Sequence, residues 1–336
     1  MMTPDPVSSP RRSVWPHRPA RFALLAPCLA GMAVAALPAQ ELIAQTRGDP
    51  YTVKETGRGF ARLQDAVNAI GGGTGTITIA PGRYADCAVQ TAGDITYLAA
   101  QPGQVTFDRT VCEDKAALVL RGYNASVSGI TFQNMESSDG NGAGIRLEKG
   151  HLTIAQSWFK DSQEGILTAA DPNGRIVVDK STFTNLGTCA YSGGCSHAIY
   201  VGEYGSLRVT RSRFERGAGG HYLKSRSARV EIASNSFDDS HGRASNYMID
   251  LPLGSTGQIT NNWFVQGPDH ENHSALIAVA AEERKNSSDG LVITGNDARL
   301  APKVPWSTVF VADWSGNRLE IGQNTLGPGI KRFEKR

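Results

Sequence analysis

Residues 197–226, HAIYVGEYGSLRVTRSRFERGAGGHYLKSR, bring His197, Tyr200, His221, Tyr222, Lys224 and Arg226 into one stretch. HAIY at His197 returns 24 residues later as HYLK at His221, so the reactive groups recur with a period. Asp250 follows 26 residues after Lys224, and Arg146 occupies a comparable place in AGIRL. Asn272 and His273 form a further polar pair downstream. An amine or imidazole can remove a proton, a phenol or imidazole can return one, and a guanidinium can neutralise an anion. The set therefore suits proton abstraction beside a negatively charged substituent.

The elements that must position these groups begin after a leader. Four arginines (Arg11, Arg12, Arg18 and Arg21) precede the apolar run FALLAPCLAGMAVAALPA at 22–39. A basic region, a short apolar stretch and small residues near its end describe a secretory signal over 1–39. The run is too short and too rich in Pro and Gly to serve as a stable membrane span. A connecting stretch, 40–51, follows, and residues 52–336 form one domain. Losing the signal's four Arg and one Asp turns the formal charge of +2 into −1. No basic tail or cationic helix remains, which argues against a nucleic-acid partner. Cys28 leaves with the signal, and Cys87, Cys112, Cys189 and Cys195 remain. An even number in an exported chain suggests disulfides, here 87–112 and 189–195 on register and loop size. The expected location is periplasmic or extracellular, and a monomer is expected.

Phe60, Leu63, Val67 and Ile70 recur at helical spacing, predicting one short helix over 57–70 that ends at Gly71-Gly72-Gly73. Thereafter the chain reads as short strands in a repeat. VSGITF, LTIAQSWF, IVVDKSTF, LRVTRSRF, VEIASNSF, GQITNNWF, LVITGNDA and LEIGQNTL stack on Val127, Ile154, Val178, Val209, Ile232, Ile259, Ile293 and Ile321. Three places on stand Ser157, Ser181, Ser212, Asn235, Asn262, Asn296 and Asn324; two further stand Phe132, Phe159, Phe183, Phe214, Phe237 and Phe264. Another apolar column comprises Leu118, Ile145, Ile166, Ile199, Leu223, Ile249 and Leu276. β patterning at this period, without crossover helices, predicts an all-β solenoid. Stacked Ser and Asn at a turn can hydrogen-bond from rung to rung.

Strand side chains alternate faces, and neighbouring rungs lie about 4.8 Å apart. With Ile199, Leu223, Ile249 and Ile145 inward, Tyr200, Tyr222, Lys224, Arg226, Asp250 and Arg146 point outward. Tyr200, Lys224 and Asp250 then form one column, with His197 and His221 at equivalent turn positions beside it. Asn272 and His273 come near the same corner on a later rung.

The pattern over 52–326 resembles the single-stranded right-handed parallel β-helix of the pectin-lyase-like superfamily, with its N-terminal capping helix. It is also similar to exported bacterial right-handed β-helix repeat proteins. The resemblance implies a polysaccharide-directed activity; no family's catalytic set transfers residue by residue, and it is the chemistry of the clustered side chains that suits metal-independent, lyase-type β-elimination without a cofactor. In that reading Arg226 or Arg146 neutralises a uronate carboxylate, Lys224 takes the C5 proton, and Tyr200 or His197 protonates the leaving oxygen. His221 and Asp250 complete the catalytic group, and Tyr222, Asn272 and His273 contact substrate. A C5 epimerase needs nearly the same set. A two-carboxylate glycoside hydrolase would pair Asp250 with Glu271 or Asp139. A non-catalytic glycan-binding or cell-surface protein is the third alternative. The acidic cluster of calcium-dependent pectate lyases is absent, and GPDHE at 267–271 does not match the Asp-Pro-His-Asp of mannuronan epimerases.

Overall fold

The computed structural model describes residues 48–191 and 194–336. The expected signal, 1–39, and residues 40–47 of the connecting stretch lie outside the described residues. The rest is a parallel β-solenoid, with three sheets running along one axis and each coil contributing a strand to every sheet in turn. The first sheet has 12 strands and the other two have 10 each. Among the strands described, the entry alone pairs antiparallel: Tyr51–Val53 pairs with both Arg58–Phe60 and Thr74–Ile79.

The helix is shorter than its apolar spacing suggested, running Leu63–Ile70. Residues 58–60 instead complete the entry hairpin, which consumes the segment that would have formed the first turn. The Leu63 amide donates to Asp86 Oδ2 at 2.8 Å, so a carboxylate from the next coil satisfies one orphan donor at the helix start. Leu63, Ala66 and Val67 are buried against the open end of the coil, covering strand edges that would otherwise template association.

The stacked columns hold in register. Val127, Ile154, Val178, Val209, Ile232, Ile259, Ile293 and Ile321 pair rung upon rung in the first sheet. In the second sheet the Phe132–Phe264 rings stack with centroids 4.7–5.1 Å apart. Between these sheets most coils turn through one left-handed residue, for example Gln156, Lys180, Arg211 and Asn261. The next residue points inward and joins the ladder. The Ser212 amide donates to Asn235 Oδ1, the Asn235 amide to Asn262 Oδ1 and the Asn262 amide to Asn296 Oδ1, each at 2.9 Å. The turn's buried amides are thereby paired, as buried backbone must be.

The corner entering the third sheet departs from simple alternation. Gly144, Gly165, Ala198, Tyr222, Met248, Leu276 and Phe310 occupy equivalent places, each just before an inward residue of the third-sheet column. From Ala198 onward these side chains are buried in the same core as the residues that follow. Two consecutive residues face inward there because the backbone bends through the corner. The inward column therefore continues from Ile249 to Ile277, and Leu276 is the corner residue. Tyr222 likewise does not point outward but is buried, its hydroxyl donating to Asp239 Oδ1 at 2.6 Å.

Both expected disulfides form, Cys87–Cys112 and Cys189–Cys195. Among the described residues no helix is long and apolar enough to cross a membrane.

Candidate functional site

The outer face of the third sheet presents two adjacent columns. In the first, Tyr200 pairs with Lys224 and Lys224 with Asp250 on successive rungs. The second lies two residues before each inward aliphatic and reads Ala116, Ala143, Glu164, His197, His221 and Tyr247. There the rings of His197, His221 and Tyr247 stack, with centroids 4.8 and 5.5 Å apart. Small or apolar side chains cover the same face on either side: Ala116, Val119 and Ala143 before the cluster, and Ala275, Val309 and Ala312 after it. The rungs between them carry a cluster of charged and aromatic groups, which lines a cleft of about 340 Å³ with Asn246 and Glu271 on its wall.

Lys224 Nζ lies 2.6 Å from Glu282 Oε1 and 3.6 Å from Asp250 Oδ2. Arg226 donates through Nη2 to Glu282 Oε2 and through Nη1 to the Tyr200 hydroxyl, and its guanidinium carbon lies 5.2 Å from the Tyr200 ring centre. His221 Nε2 is 3.4 Å from Asp250 Oδ2. The His221 amide donates to His197 Nδ1 at 3.0 Å, and the His197 amide donates to Glu164 Oε1 at 3.1 Å. Asp250 Oδ1 is buried without a hydrogen-bond partner among the described residues.

Burial shapes the charge states. It raises the Asp250 carboxyl to about 6, although Lys224 pulls the other way. It lowers the His221 imidazole to about 3, with Lys224 adding to the effect. Burial also drives His197 well below the ordinary imidazole range, and Glu164 well above that of a carboxyl. For Glu282 burial acts upward, but Lys224 and Arg226 outweigh it and hold the carboxyl below its usual value. At neutral pH the cleft thus holds two neutral imidazoles, an ionised Asp250 and a cation pair bridged by Glu282.

The structure gathers Tyr200, Lys224, Asp250, His197, His221 and Arg226 as expected from their spacing. It leaves others apart. Tyr222 belongs to the core. Arg146 shares the outer column, yet Leu167 separates it from Tyr200. Its Nε lies 3.9 Å from Glu148. His273 stacks on Trp306 at 4.4 Å, and Asn272 Oδ1 accepts the amide of Ser274 at 3.0 Å within its own turn. Neither lines the cleft.

Sequence reading missed Glu164, Tyr247 and Glu282. The first two share the column of His197 and His221, so aligning position −2 to the inward aliphatics would have found them. Glu282 comes from an insertion between Val279 and Val292, where no periodicity operates. Cys195 sits at the lip of the cleft; its sulfur is bonded to Cys189, which removes both from any ligand set with nearby Glu271.

No curated protein matches the chain. Two solved structures are similar in outline. Geobacillus virus E2 ORF18 aligns at 13% identity with a TM-score of 0.46, over 81% of this chain and 56% of the viral one. The chain thus spans little more than half the length of that protein. The Streptococcus pneumoniae surface protein and adhesin PfbA aligns at 13% identity and a TM-score of 0.46, over 81% of this chain and 94% of PfbA. The family described as the right handed beta helix region matches residues 115–326, which carry both columns of the cleft and most of the coils. With its parallel coils, rung-to-rung ladder and stacked Phe core, the chain belongs to the right-handed β-helix family.

Proposed function

We propose that this protein is an exported enzyme that cleaves an acidic polysaccharide by metal-independent β-elimination. The observation that carries the reading is the cation pair of Lys224 and Arg226, which already holds a carboxylate at two points. A uronate carboxylate presents the same two oxygens. Neutralising it acidifies the adjacent C5–H, because the enolate-like charge that develops is met by fixed cations. Sequence alone favoured Lys224 as the base. Its Nζ lies instead between two carboxylates, which suits it to the cation's part. His221 is the group placed to take the proton instead: its Nε2 lies beside Asp250, whose carboxylate opposes the burial and the Lys224 charge that otherwise disfavour the imidazolium. The C5 proton passes to His221, the electron pair forms the C4–C5 double bond, and the C4–O bond breaks. Tyr200, at the cleft edge, supplies the proton to the leaving oxygen. His197 holds the His221 backbone in place. Two disulfides fit an oxidising compartment outside the cytoplasm.

The test is to incubate the purified protein with a panel of uronate polysaccharides in the presence of EDTA. Elimination creates a conjugated double bond, read as rising ultraviolet absorbance. Lys224→Ala and Tyr200→Phe should abolish that rise while leaving the fold intact. Cleavage that needs calcium, or that survives both substitutions, would defeat the assignment. A changed C5 configuration without absorbance would replace it with epimerisation, and binding without chemical change with a glycan-binding role.

A further inference from the structure

Glu282 stands where a ligand would stand. Its side chain is 44% exposed, while Lys224 and Arg226 beneath it are 12% and 19% exposed. The carboxylate thus lies over the cations as a cover, one oxygen on each. It is carried on an insertion rather than on a rung. The amides of Glu282 and Glu283 donate to the Pro252 carbonyl at 3.0 Å, and the Asn286 amide to that of Leu253 at 2.8 Å. At the far side Lys285 pairs with Glu203 at 2.7 Å, both groups being well exposed. Farther along, Asn286 Nδ2 donates to Gly254 O at 3.1 Å and buried Ser288 Oγ accepts the Ser255 amide at 3.1 Å, so the anchor lies at 286–288, whereas the stretch that carries Glu282 is held by backbone bonds to Pro252 and by surface ion pairs, a kind of contact worth little in water.

We propose that Glu282 is a specificity-determining residue: an internal carboxylate that occupies the anion position of the cleft and must be displaced by the ligand's own carboxylate. This rests on the reading of Lys224 and Arg226 as a carboxylate cradle. Displacement leaves the charge count of the cradle unchanged when the incoming group is an anion. A neutral sugar that displaced Glu282 would instead take away the carboxylate of Arg226 and leave Lys224 only Asp250 at 3.6 Å, an excess of positive charge in a largely buried place, which is costly. The cleft therefore rejects neutral glycans by the bond it would have to break, in addition to favouring acidic ones by the bond it makes.

The experiment is a calorimetric titration of the full protein and its Glu282→Gln variant with oligogalacturonate, oligomannuronate and oligoglucuronate, and with a neutral glucan. Glutamine keeps the size of the side chain and removes its charge. At least one uronate oligomer should bind Glu282→Gln about tenfold more tightly than the parent, and adding Lys224→Met should erase the gain. In the parent, saturating uronate should expose the 281–289 segment to amide hydrogen exchange. Uronate binding that is equal, weaker or absent in Glu282→Gln overturns the inference, as does a segment whose exchange does not respond to bound ligand. Tighter binding by Glu282→Gln without any elimination would keep the inference and sink the lyase reading. Elimination with unchanged binding would do the reverse.

Discussion

The backbone amide of His221 donates to Nδ1 of His197 across 3.0 Å, from one rung to the next. With Nδ1 accepting, the neutral His197 ring carries its proton on Nε2. The bond also fixes the corner from which the His221 side chain projects toward Asp250. His197→Ala would leave a buried donor without its acceptor and should cost about 1–3 kcal/mol. Urea unfolding of parent and variant reads the difference.

Asp250 and His221 should bend the stability–pH curve in opposite directions. The Asp250 carboxyl is raised to about 6 in the fold, above its value of about 4 in an unfolded chain. The folded state therefore holds that proton more tightly, and the advantage, present below pH 4, is lost as pH rises through 6. The His221 imidazole falls to about 3, below its unfolded value of about 6.5. Its contribution is present above pH 6.5 and is lost as pH falls toward 3. Asp250→Asn should remove the loss between pH 4 and 6, an effect of up to about 3 kcal/mol. His221→Gln should flatten the acid side. Denaturation midpoints across pH 3–8 distinguish the two.

If His221 and Asp250 act together as the base, kcat/KM on a uronate polymer should rise with pH through an inflection near 6, where Asp250 ionises. A profile flat between pH 5 and 7 would separate Asp250 from the proton transfer.

The two disulfides should differ in what their loss does. Cys87–Cys112 closes a loop of 25 residues between neighbouring coils, worth about 3.5 kcal/mol on the chain-entropy account. Cys189–Cys195 spans only six residues at the cleft lip and should contribute about 2 kcal/mol. Cys87→Ser/Cys112→Ser should therefore lower the denaturation midpoint further, and Cys189→Ser/Cys195→Ser should act more on ligand affinity. Alkylation of the unfolded, unreduced protein should label none of the four cysteines.

Asn262 Oδ1 accepts from both the amide and the side chain of Asn235, at 2.9 and 3.0 Å. Its own Nδ2 donates to Ile232 O at 2.8 Å and to Asn296 Oδ1 at 3.1 Å. Asn262→Ala should destabilise the protein by at least about 2 kcal/mol. Asn262→Ser, which restores the acceptor used on the Ser181 and Ser212 rungs, should recover part of it. A calorimetric melt of the three proteins orders them.

The ladder and the Phe stack were legible because each rung repeats the same physical demand: an acceptor for a buried turn amide, and a flat ring between two flat rings. The column of Tyr200, Lys224 and Asp250 followed from the same register. Tyr222 and Leu276 did not, for one shared reason. The corner sends two consecutive residues inward, and period-2 alternation has no way to express that. In ALIAV at 275–279 every residue is apolar, so composition could not choose between Leu276 and Ile277. Arg58–Phe60 was read as helix because Phe60 fits the apolar stripe, whereas the hairpin with Tyr51–Val53 depends on pairing across a turn. Glu282 lay beyond any periodic argument, since an insertion answers to the surface it crosses.

The corner column has a consequence for how such a chain can change over time. Where the Phe stack is intact at Phe132, the corner is Gly144, and a Cβ there would lie 2.7 Å from the Phe159 ring and 2.9 Å from Phe132 Cβ. Where the stack loses its ring at Ala298, the corner of the same coil is Phe310, which meets Phe264 edge-on at 5.9 Å. In these coils interior space is traded between positions about a dozen residues apart in sequence and adjacent in section. A substitution at one of these corners is then judged by a residue on another sheet. Gly144 and Phe310 are thus each fitted to the ring, or the missing ring, of their own coil, and either can be enlarged or reduced only together with its partner on the other sheet.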